Sequence, residues 1–447
     1  MVNSYKSLQT KLPNDPLEVF ENLEQDNEYC FLLETLVDKY QPKTSGQSYI
    51  GIAPIHHYAA QGNTLYEDDR PNIVENPFNE LRKRMSINNN LPGGYVGGLI
   101  GYFGHEAIQY LEPSLSFDYE RNFYDFQYGE YNDGLIFEKQ ESPKYFYYNT
   151  DRLELYKTIG TKQKSLQISS IAKLKDDQTY ANMIDSALED IKNGRVFQVV
   201  LANRFEYSYE GSLLHLYREL RSINPSPFMF YAKFGKIITI GASPEFVVHT
   251  NTEKQVFLEA LAGTIHRGVD DEEDIELANT LLADKKEIAE HSMLVDLARN
   301  DVGRISKIGS VKIEHLMKIK KFSHVQHISS VVSGYLDDSK NAFDGLASSF
   351  SAGTVSGAPK IEAIKMIKQL ENAERGPYGG TIGYFSYNGH SVHSLNIRSI
   401  SAVNNRLYLH SGSGVVFDST VDGEAKEISN KKAAMDKAML PFIKGAK

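Results

Sequence analysis

TIGYFSYNGHSVHSLNIRSISAVNNRLYLH, residues 381–410, reads as three strands joined by two tight turns. Branched and aromatic residues fill 381–387, 391–401 and 406–410, while Asn388-Gly389 and Asn404-Asn405 supply residues that tolerate the left-handed backbone of short hairpins. Strands joined this way form an antiparallel meander. Outward from it, apolar residues recur at helical spacing over 177–193, 213–221, 272–300, 359–374 and 423–442, with Gly194 stopping the first helix. Strand-like runs lie at 196–207, 236–242 and 246–250. Helices interspersed among antiparallel strands define an α+β class. The first third mixes short strand-like pieces with turns such as Leu91-Pro92-Gly93-Gly94, and the polar stretch 157–170 is the best linker, dividing the chain into segments 1–165 and 166–447.

The 447 residues, 41% hydrophobic and 24% charged, have ordinary globular composition and leave room for two or three domains or one large core. A net charge of -10 speaks against nucleic acid, because there is no basic stripe to displace phosphate counterions. No apolar run approaches the roughly 20 residues of a membrane span, and the first residues lack a signal-type apolar core. A cytoplasmic protein with no membrane partner is expected. Cys30 is the sole cysteine, which excludes an internal disulfide and a thiolate zinc cluster; within CFLLETL it reads as a buried structural thiol. Tryptophan is absent although there are 27 tyrosines and 22 phenylalanines. Codon bias explains this as well as selection on an enzyme needed when tryptophan is scarce. Small-molecule chemistry is the class that remains.

Ala283, Glu287, Glu290, Leu294 and Leu297 share one helical face, and Glu424, Glu427, Lys431, Ala434 and Ala438 repeat the arrangement. Two buried pairs of like charge would repel unless a cation sat between them, and Mg²⁺ is the hard oxygen-seeking ion that suits carboxylates. Spacing alone favours the alternative of two solvated faces. Glycine-rich turns at 262–264, 351–360, 375–384 and 411–414 could close backbone N–H groups on an anion, although each taken singly is an ordinary tight turn. Asn396 and Arg398 share a strand face opposite Leu395 and Ile397, which suits either a guanidinium aimed at a carboxylate or a surface arginine.

Taken in order, these segments resemble the chorismate-utilising enzymes, and within them the large subunits (component I) of anthranilate synthases. The resemblance is carried by the AGT turn, KKEIAEHSMLVDLARNDVGRIS, HVQHISS, AGTVSGAPK, RGPYGGTIGY, the IRS strand and the Gly-rich turn before EAKEISNKKA; it runs from about Asp177 to Lys437 and is weaker upstream. It implies large antiparallel sheets packed as a sandwich with helices outside. It also implies that Glu287, Glu290, Glu424 and Glu427 surround Mg²⁺ bridging to the ring carboxylate of chorismate. Arg398 and Tyr378 would hold the enolpyruvyl carboxylate, with Gly412, Ser413, Gly414, Gly263 and Thr264 as further substrate contacts and Thr354 and Lys431 nearby. Glu245 would protonate the departing ring hydroxyl, and His327 would assist pyruvate elimination.

Two positions narrow the implied reaction. Gln198 stands where relatives that add water carry a lysine base, and Ala262 stands where aminodeoxychorismate synthases commonly carry a lysine nucleophile. Direct attack by ammonia, yielding anthranilate and pyruvate in tryptophan biosynthesis, follows from the resemblance. Cys30 lacks a glutaminase setting, so glutamine would be used through a separate amidotransferase subunit. LLET (32–35) and NPSPFMF (224–230) resemble the family's tryptophan-sensing segments, which places feedback inhibition by tryptophan on Leu33, Glu34, Thr35, Asn224, Pro225, Ser226, Pro227, Phe228 and Met229. The chain departs from the family pattern at Ala260, at IHRG, at Ser351, and at His105-Glu106, which replaces an aromatic–acid pair. The rivals are an aminodeoxychorismate synthase component I and a catalytically silent tryptophan-binding regulator.

Overall fold

The computed structural model describes residues 5–36, 46–139, 141–158, 160, 163–322 and 325–445. The alternation seen in the sequence builds two long sheets among them. One runs from Lys6–Gln9 through Lys144–Tyr147, Asp133–Phe137, Ser48–Ile52, Tyr29–Glu34, Phe228–Phe234, Ile237–Ser243, Ser399–Val403 and Arg406–Val415 to Gln198–Glu210 and Gln167–Lys173, with the short Gly357–Ala358 strand beside Gln198–Glu210. The other runs from Lys312–Lys321 through Val325–Tyr335, Gln255–His266, Phe246–Thr250, Ser391–Leu395, Thr381–Ser386, Gly98–Phe103, Phe126–Tyr131 and His56–Gln61 to Thr64–Glu67 and Arg70–Ile73. Neighbouring strands pair antiparallel, as the meander requires.

Aromatic rings fill the space between the sheets. Phe31 packs edge-on to Tyr131 at 4.8 Å, and Tyr49 to Tyr384 at 5.9 Å, so each sheet contributes to one inner core. The outer faces are covered by helices: Leu216 and Leu220 of Leu214–Ile223 and Met435 and Met439 on one side, Leu294, Val295 and Ala298 of Lys285–Gly303 on the other. The expected sandwich with external helices is present. The segments 1–165 and 166–447 are interleaved within both sheets: Tyr29–Glu34 pairs with Phe228–Phe234, and Gly98–Phe103 with Thr381–Ser386. Residues 159, 161 and 162 of the expected linker lie outside the described residues, as does His324 at the head of HVQHISS.

Three local expectations are corrected. The helix expected over 272–300 is two, Asp271–Ala283 and Lys285–Gly303, because Asp284 leaves helical conformation and its side chain accepts from the N–H groups of Lys286 and Glu287. Ala283 is therefore not on the helix that carries Glu287. The strand expected over 391–401 stops at Leu395 and resumes at Ser399 in the other sheet, because Arg398 adopts a left-handed backbone with φ +50. The segments 262–264 and 411–414 are not turns. They lie inside the Gln255–His266 and Arg406–Val415 strands, where glycine serves close approach rather than reversal.

A buried ion pair ties the loop 372–380 to the first sheet. Arg375, 1% exposed, donates to both oxygens of Glu371 and, at 2.8 Å each, to the carbonyls of Val200 and Val355; Glu371 also accepts from the Ala202 N–H at 2.7 Å. Glu106 takes the N–H groups of Arg375 and Gly376 at 2.9 and 3.0 Å, so the acid of the unusual His105-Glu106 pair fixes this loop. Replacing Arg375 by Met strands Glu371 and two carbonyls, and urea unfolding is expected to show a loss of about 3–5 kcal/mol. A loss under about 1 kcal/mol would contradict the clamp.

Candidate active site

The chain crosses between the sheets twice at one place, once at Pro244-Glu245 and once over 396–398. The crossings run antiparallel and bond to each other: Ala242 N–H donates to the Arg398 carbonyl at 3.1 Å, and Leu395 N–H to the Glu245 carbonyl at 3.0 Å. The Ser394 hydroxyl adds a third bond to the Glu245 carbonyl at 2.7 Å. An acid and a guanidinium thus emerge from a single seam. Left-handed backbone at a non-glycine residue costs about 1–3 kcal/mol and persists only where its surroundings determine it.

Glu245 is 8% exposed, and burial, reinforced by Glu259, pushes its carboxyl up to about 7 against the opposing pull of the Thr354 hydroxyl, which donates to it at 2.8 Å, and of Lys431 and Lys320. Arg398 donates to the Lys431 carbonyl, while among the described residues no carboxylate reaches ion-pair distance of it. Glu427 is engaged instead by the Lys431 ammonium, which also donates to the Gly412 carbonyl at 3.1 Å. A cavity of about 60 Å³ lies between Thr354, Tyr378, Arg398, Gly412 and Lys431. A Cβ at Gly412 would lie 2.8 Å from the Tyr378 hydroxyl, so only glycine admits that ring, which stacks on His410 at 4.9 Å. Gly414 likewise clears the Gln198 amide, whereas Ser413 turns away to Tyr180 at 3.1 Å.

On the second sheet Gly263, φ +71, forms a bulge opposite Ile328 and His327. His327 Nδ1 lies 2.9 Å from the Gly263 carbonyl and 3.0 Å from the Thr264 hydroxyl. A carbonyl only accepts, so Nδ1 carries the hydrogen and Nε2 keeps a free lone pair. Burial holds this imidazole down at about 4, so it is neutral near pH 7. Glu287 closes on the bulge, its Oε2 3.1 Å from where a Gly263 Cβ would stand.

The four glutamates lie on two helices, Lys285–Gly303 and Val421–Met439, near enough for Glu427 to act on both Glu287 and Glu424. Burial first, then Glu290, Asp284 and Glu427, raises the Glu287 carboxyl; burial raises Glu424 against the pull of the Ser419 and Ser413 hydroxyls, and its Oε2 is buried without a hydrogen-bond partner among the described residues. Gln198 Nε2 donates to Glu290 at 3.0 Å, a contact that spacing could not reveal. Repelling carboxylates and an orphaned oxygen fit a hard cation chemically. Among the described residues they do not close into a cage of three or more ligands at coordination spacing.

A second cavity, of about 400 Å³, opens between the sheets. Leu33, Thr35 and Phe228, from the two segments expected to sense tryptophan, line it. Glu34 does not: strand alternation turns it to the opposite face, where Arg221 pairs with it at 2.9 Å and the Tyr217 hydroxyl donates to it. Met229 joins that opposite core, and Asn224, Pro225, Ser226 and Pro227 form the approach to the strand rather than the cavity wall. The wall also includes the aromatic rings of Tyr49, Phe246, His249, Phe257, Tyr384 and His390 and the polar groups of Gln47 and Glu259. Strand alternation in the meander turns Tyr384 and Val392 inward, which is the one signal that could have found them; His390 lies in the connection between their strands.

Residues 38–437 match the family model described as chorismate binding enzyme. Anthranilate synthase component 1 of Leptospira biflexa is 38% identical over 433 residues, covering 94% of this chain and 93% of that one. The component 1 of Saccharolobus solfataricus is 35% identical over 427 residues, covering 95% and 97%. The crystal structure of anthranilate synthase component I from Streptococcus pneumoniae TIGR4 superposes with a TM-score of 0.77 at 30% identity, covering 90% of this chain and 94% of that one. The menaquinone-specific isochorismate synthase of Escherichia coli shares the fold, with a TM-score of 0.75 at 18% identity over 98% and 95% of the two chains. No helix among the described residues is long and apolar enough to cross a membrane.

Because the Glu245 carboxyl is raised to about 7 in the fold, the unfolded chain gives up that proton at lower pH, and the stability tied to it is lost as pH climbs through about 7. Urea unfolding at pH 5 and pH 8 is therefore expected to show Glu245→Gln gaining stability relative to the parent as pH rises. A difference independent of pH would place the carboxyl in the ordinary range.

Proposed function

Since the chain belongs to the chorismate binding enzyme family, we propose that it is the large subunit of an anthranilate synthase, turning chorismate and ammonia into anthranilate and pyruvate. The observation that carries this reading is the seam, where a buried acid poised near neutrality and a guanidinium without a carboxylate partner among the described residues lie on either side of Thr354, whose hydroxyl donates to Glu245 and which lines an anion-sized cavity with Arg398. Arg398 and the Tyr378 hydroxyl bind the enolpyruvyl carboxylate, with Lys431 beside them. Glu287, Glu290, Glu424 and Glu427 would hold Mg²⁺, which when bound supplies positive charge for the ring carboxylate.

Ammonia forms a bond to the ring carbon beside that carboxylate while the ring hydroxyl leaves, taking the Glu245 proton, as water. The Thr354 hydroxyl then stabilises the Glu245 carboxylate left behind. Loss of a ring proton and cleavage of the enolpyruvyl C–O bond release pyruvate and make the ring aromatic; the free Nε2 of His327 is the lone pair placed to assist. Gln198, its amide engaged by Glu290, offers no base for water, and Ala262 offers no amine nucleophile. Both absences favour ammonia itself as the attacking group. A separate amidotransferase subunit supplies it from glutamine in the cytoplasm, and tryptophan inhibits from the inter-sheet cavity.

Incubation with chorismate, Mg²⁺ and ammonium is expected to yield equal amounts of fluorescent anthranilate and pyruvate. Turnover without pyruvate would reassign the chain to aminodeoxychorismate synthesis, and no turnover would make it a silent regulator. Arg398→Ala is expected to lower kcat/KM by about 10²–10³-fold, the usual loss of a donor to reacting charge, and Glu427→Ala to raise the Mg²⁺ concentration needed for half-maximal rate. Activity that needs protonated Glu245 should fall above about pH 7. Thr354→Val, by removing the donor that favours the carboxylate, should move that falling limb to higher pH.

A further inference from the structure

One wall of the inter-sheet cavity is a chain of hydrogen bonds whose direction can be worked out atom by atom. It begins at Glu138, which Lys144 holds below the usual carboxylate range and which therefore only accepts. The Gln47 amide must turn its Nε2 to Glu138, at 2.7 Å, leaving its oxygen to take the Tyr49 hydroxyl proton, also at 2.7 Å. Tyr49 has then spent its proton, so in its hydrogen bond with Tyr384 the donor is Tyr384. The Tyr384 oxygen in turn accepts from Nδ1–H of His390 at 3.2 Å. Nε2 of His390 is left bare, so it accepts Nε2–H of His249, again at 3.2 Å.

The relay ends at Nδ1 of His249. That atom is a bare lone pair with no hydrogen-bond partner among the described residues, on a ring that lines the cavity and stacks on Phe257 at 5.5 Å. Burial pulls His249 down to about 4 and His390 to about 3, so neither ring takes a second proton near neutral pH to reverse the chain. The surrounding wall is apolar or aromatic at Leu33, Phe228, Phe246, Tyr49 and Val392 and polar at Thr35, Gln47 and Glu259, of which Gln47 is committed to Glu138 and Tyr49, and Glu259 to Lys320 and Ser329. A ligand buried there leaves the lone pair unpaired unless the ligand's own ring edge carries a donor.

We infer that His249 is the specificity-determining residue of this cavity: its Nδ1 accepts a hydrogen bond from an N–H on the aromatic ring of the bound amino acid. The inference rests on the reading of the cavity as the tryptophan site and adds to it the atom that selects an indole over a ring of equal size without a donor. A site built to receive a hydrogen bond discriminates by leaving a buried group unpaired when the wrong ligand enters.

The test compares L-tryptophan with 3-benzothienyl-L-alanine, in which sulfur replaces the indole N–H, by isothermal titration calorimetry on the full chain. The chain contains no tryptophan, so the ligand's own emission gives an independent reading of the first isotherm without protein background. The parent is expected to prefer tryptophan by about tenfold or more, the scale of one unmade hydrogen bond in a buried site. His249→Phe, which keeps a flat ring against Phe257, should bring the ratio close to one with the analogue bound about as well as before. Tyr384→Phe frees the His390 tautomer and should lower the ratio part of the way. A parent that binds both ligands equally, or a ratio that survives His249→Phe, overturns the inference while leaving the tryptophan site standing. A parent that binds neither overturns the reading of the cavity itself.

Discussion

Two backbone hydrogen bonds, Ala242 to Arg398 and Leu395 to Glu245, hold the crossings between the sheets side by side. Each crossing leaves one sheet at the end of a strand and enters the other within a few residues, so neither has room to wander. The left-handed turn at Arg398 is what lets the second crossing change sheets so sharply. The same geometry that joins the layers therefore brings the Glu245 carboxyl and the Arg398 guanidinium to either side of Thr354, and the other groups of the site are arranged about them. Thr354 arrives on a loop anchored by Arg375 through the Val355 carbonyl, and Tyr378 on a loop anchored by Glu106.

Charge inside this site is kept in unequal states by surroundings rather than by residue type. Glu371, bonded to Arg375 and to the Ala202 N–H, is a structural anion. Glu245, with one hydroxyl for company, is held at the edge of ionisation, and Glu287 is raised by burial and then by the acids around it. Three glutamates thus stand in three settings: one ion-paired, one buried beside a single hydroxyl and one among other acids.

Much of this was legible because it is local. Asn388-Gly389 dictates its hairpin by turn chemistry alone, and the 246–250 strand appears where its alternation places it. What sequence could not show is long-range or conformationally unusual. Nothing in the identity of Arg398 announces a positive φ, and the glycines of AGT and SGSG look the same in a turn, in a bulge, or in a strand where a neighbouring ring needs the space of a Cβ. The Glu34 side chain was assigned with its neighbours as a segment, although a strand divides consecutive residues between two faces. Asp284, an unremarked acid, splits a helix because its side chain caps the next one. The four glutamates had the right spacing for either a metal site or a wet surface, and only the family motifs around them tipped the choice. His249 and His390 are 141 residues apart, and no periodic pattern links them.

The interleaving of both sheets has a consequence for how such a chain is made. The Gly98–Phe103 strand waits on the ribosome for a partner nearly three hundred residues downstream, Thr381–Ser386, and Tyr29–Glu34 waits for Phe228–Phe234. Contacts of such sequence separation form late, because loop closure must precede the pairing that rewards it. The inter-sheet cavity draws its wall from both ends of the chain and so is incomplete until both are present. The part of the wall that Leu33 and Tyr49 supply therefore stays open until Phe228, Phe246 and Tyr384 have emerged.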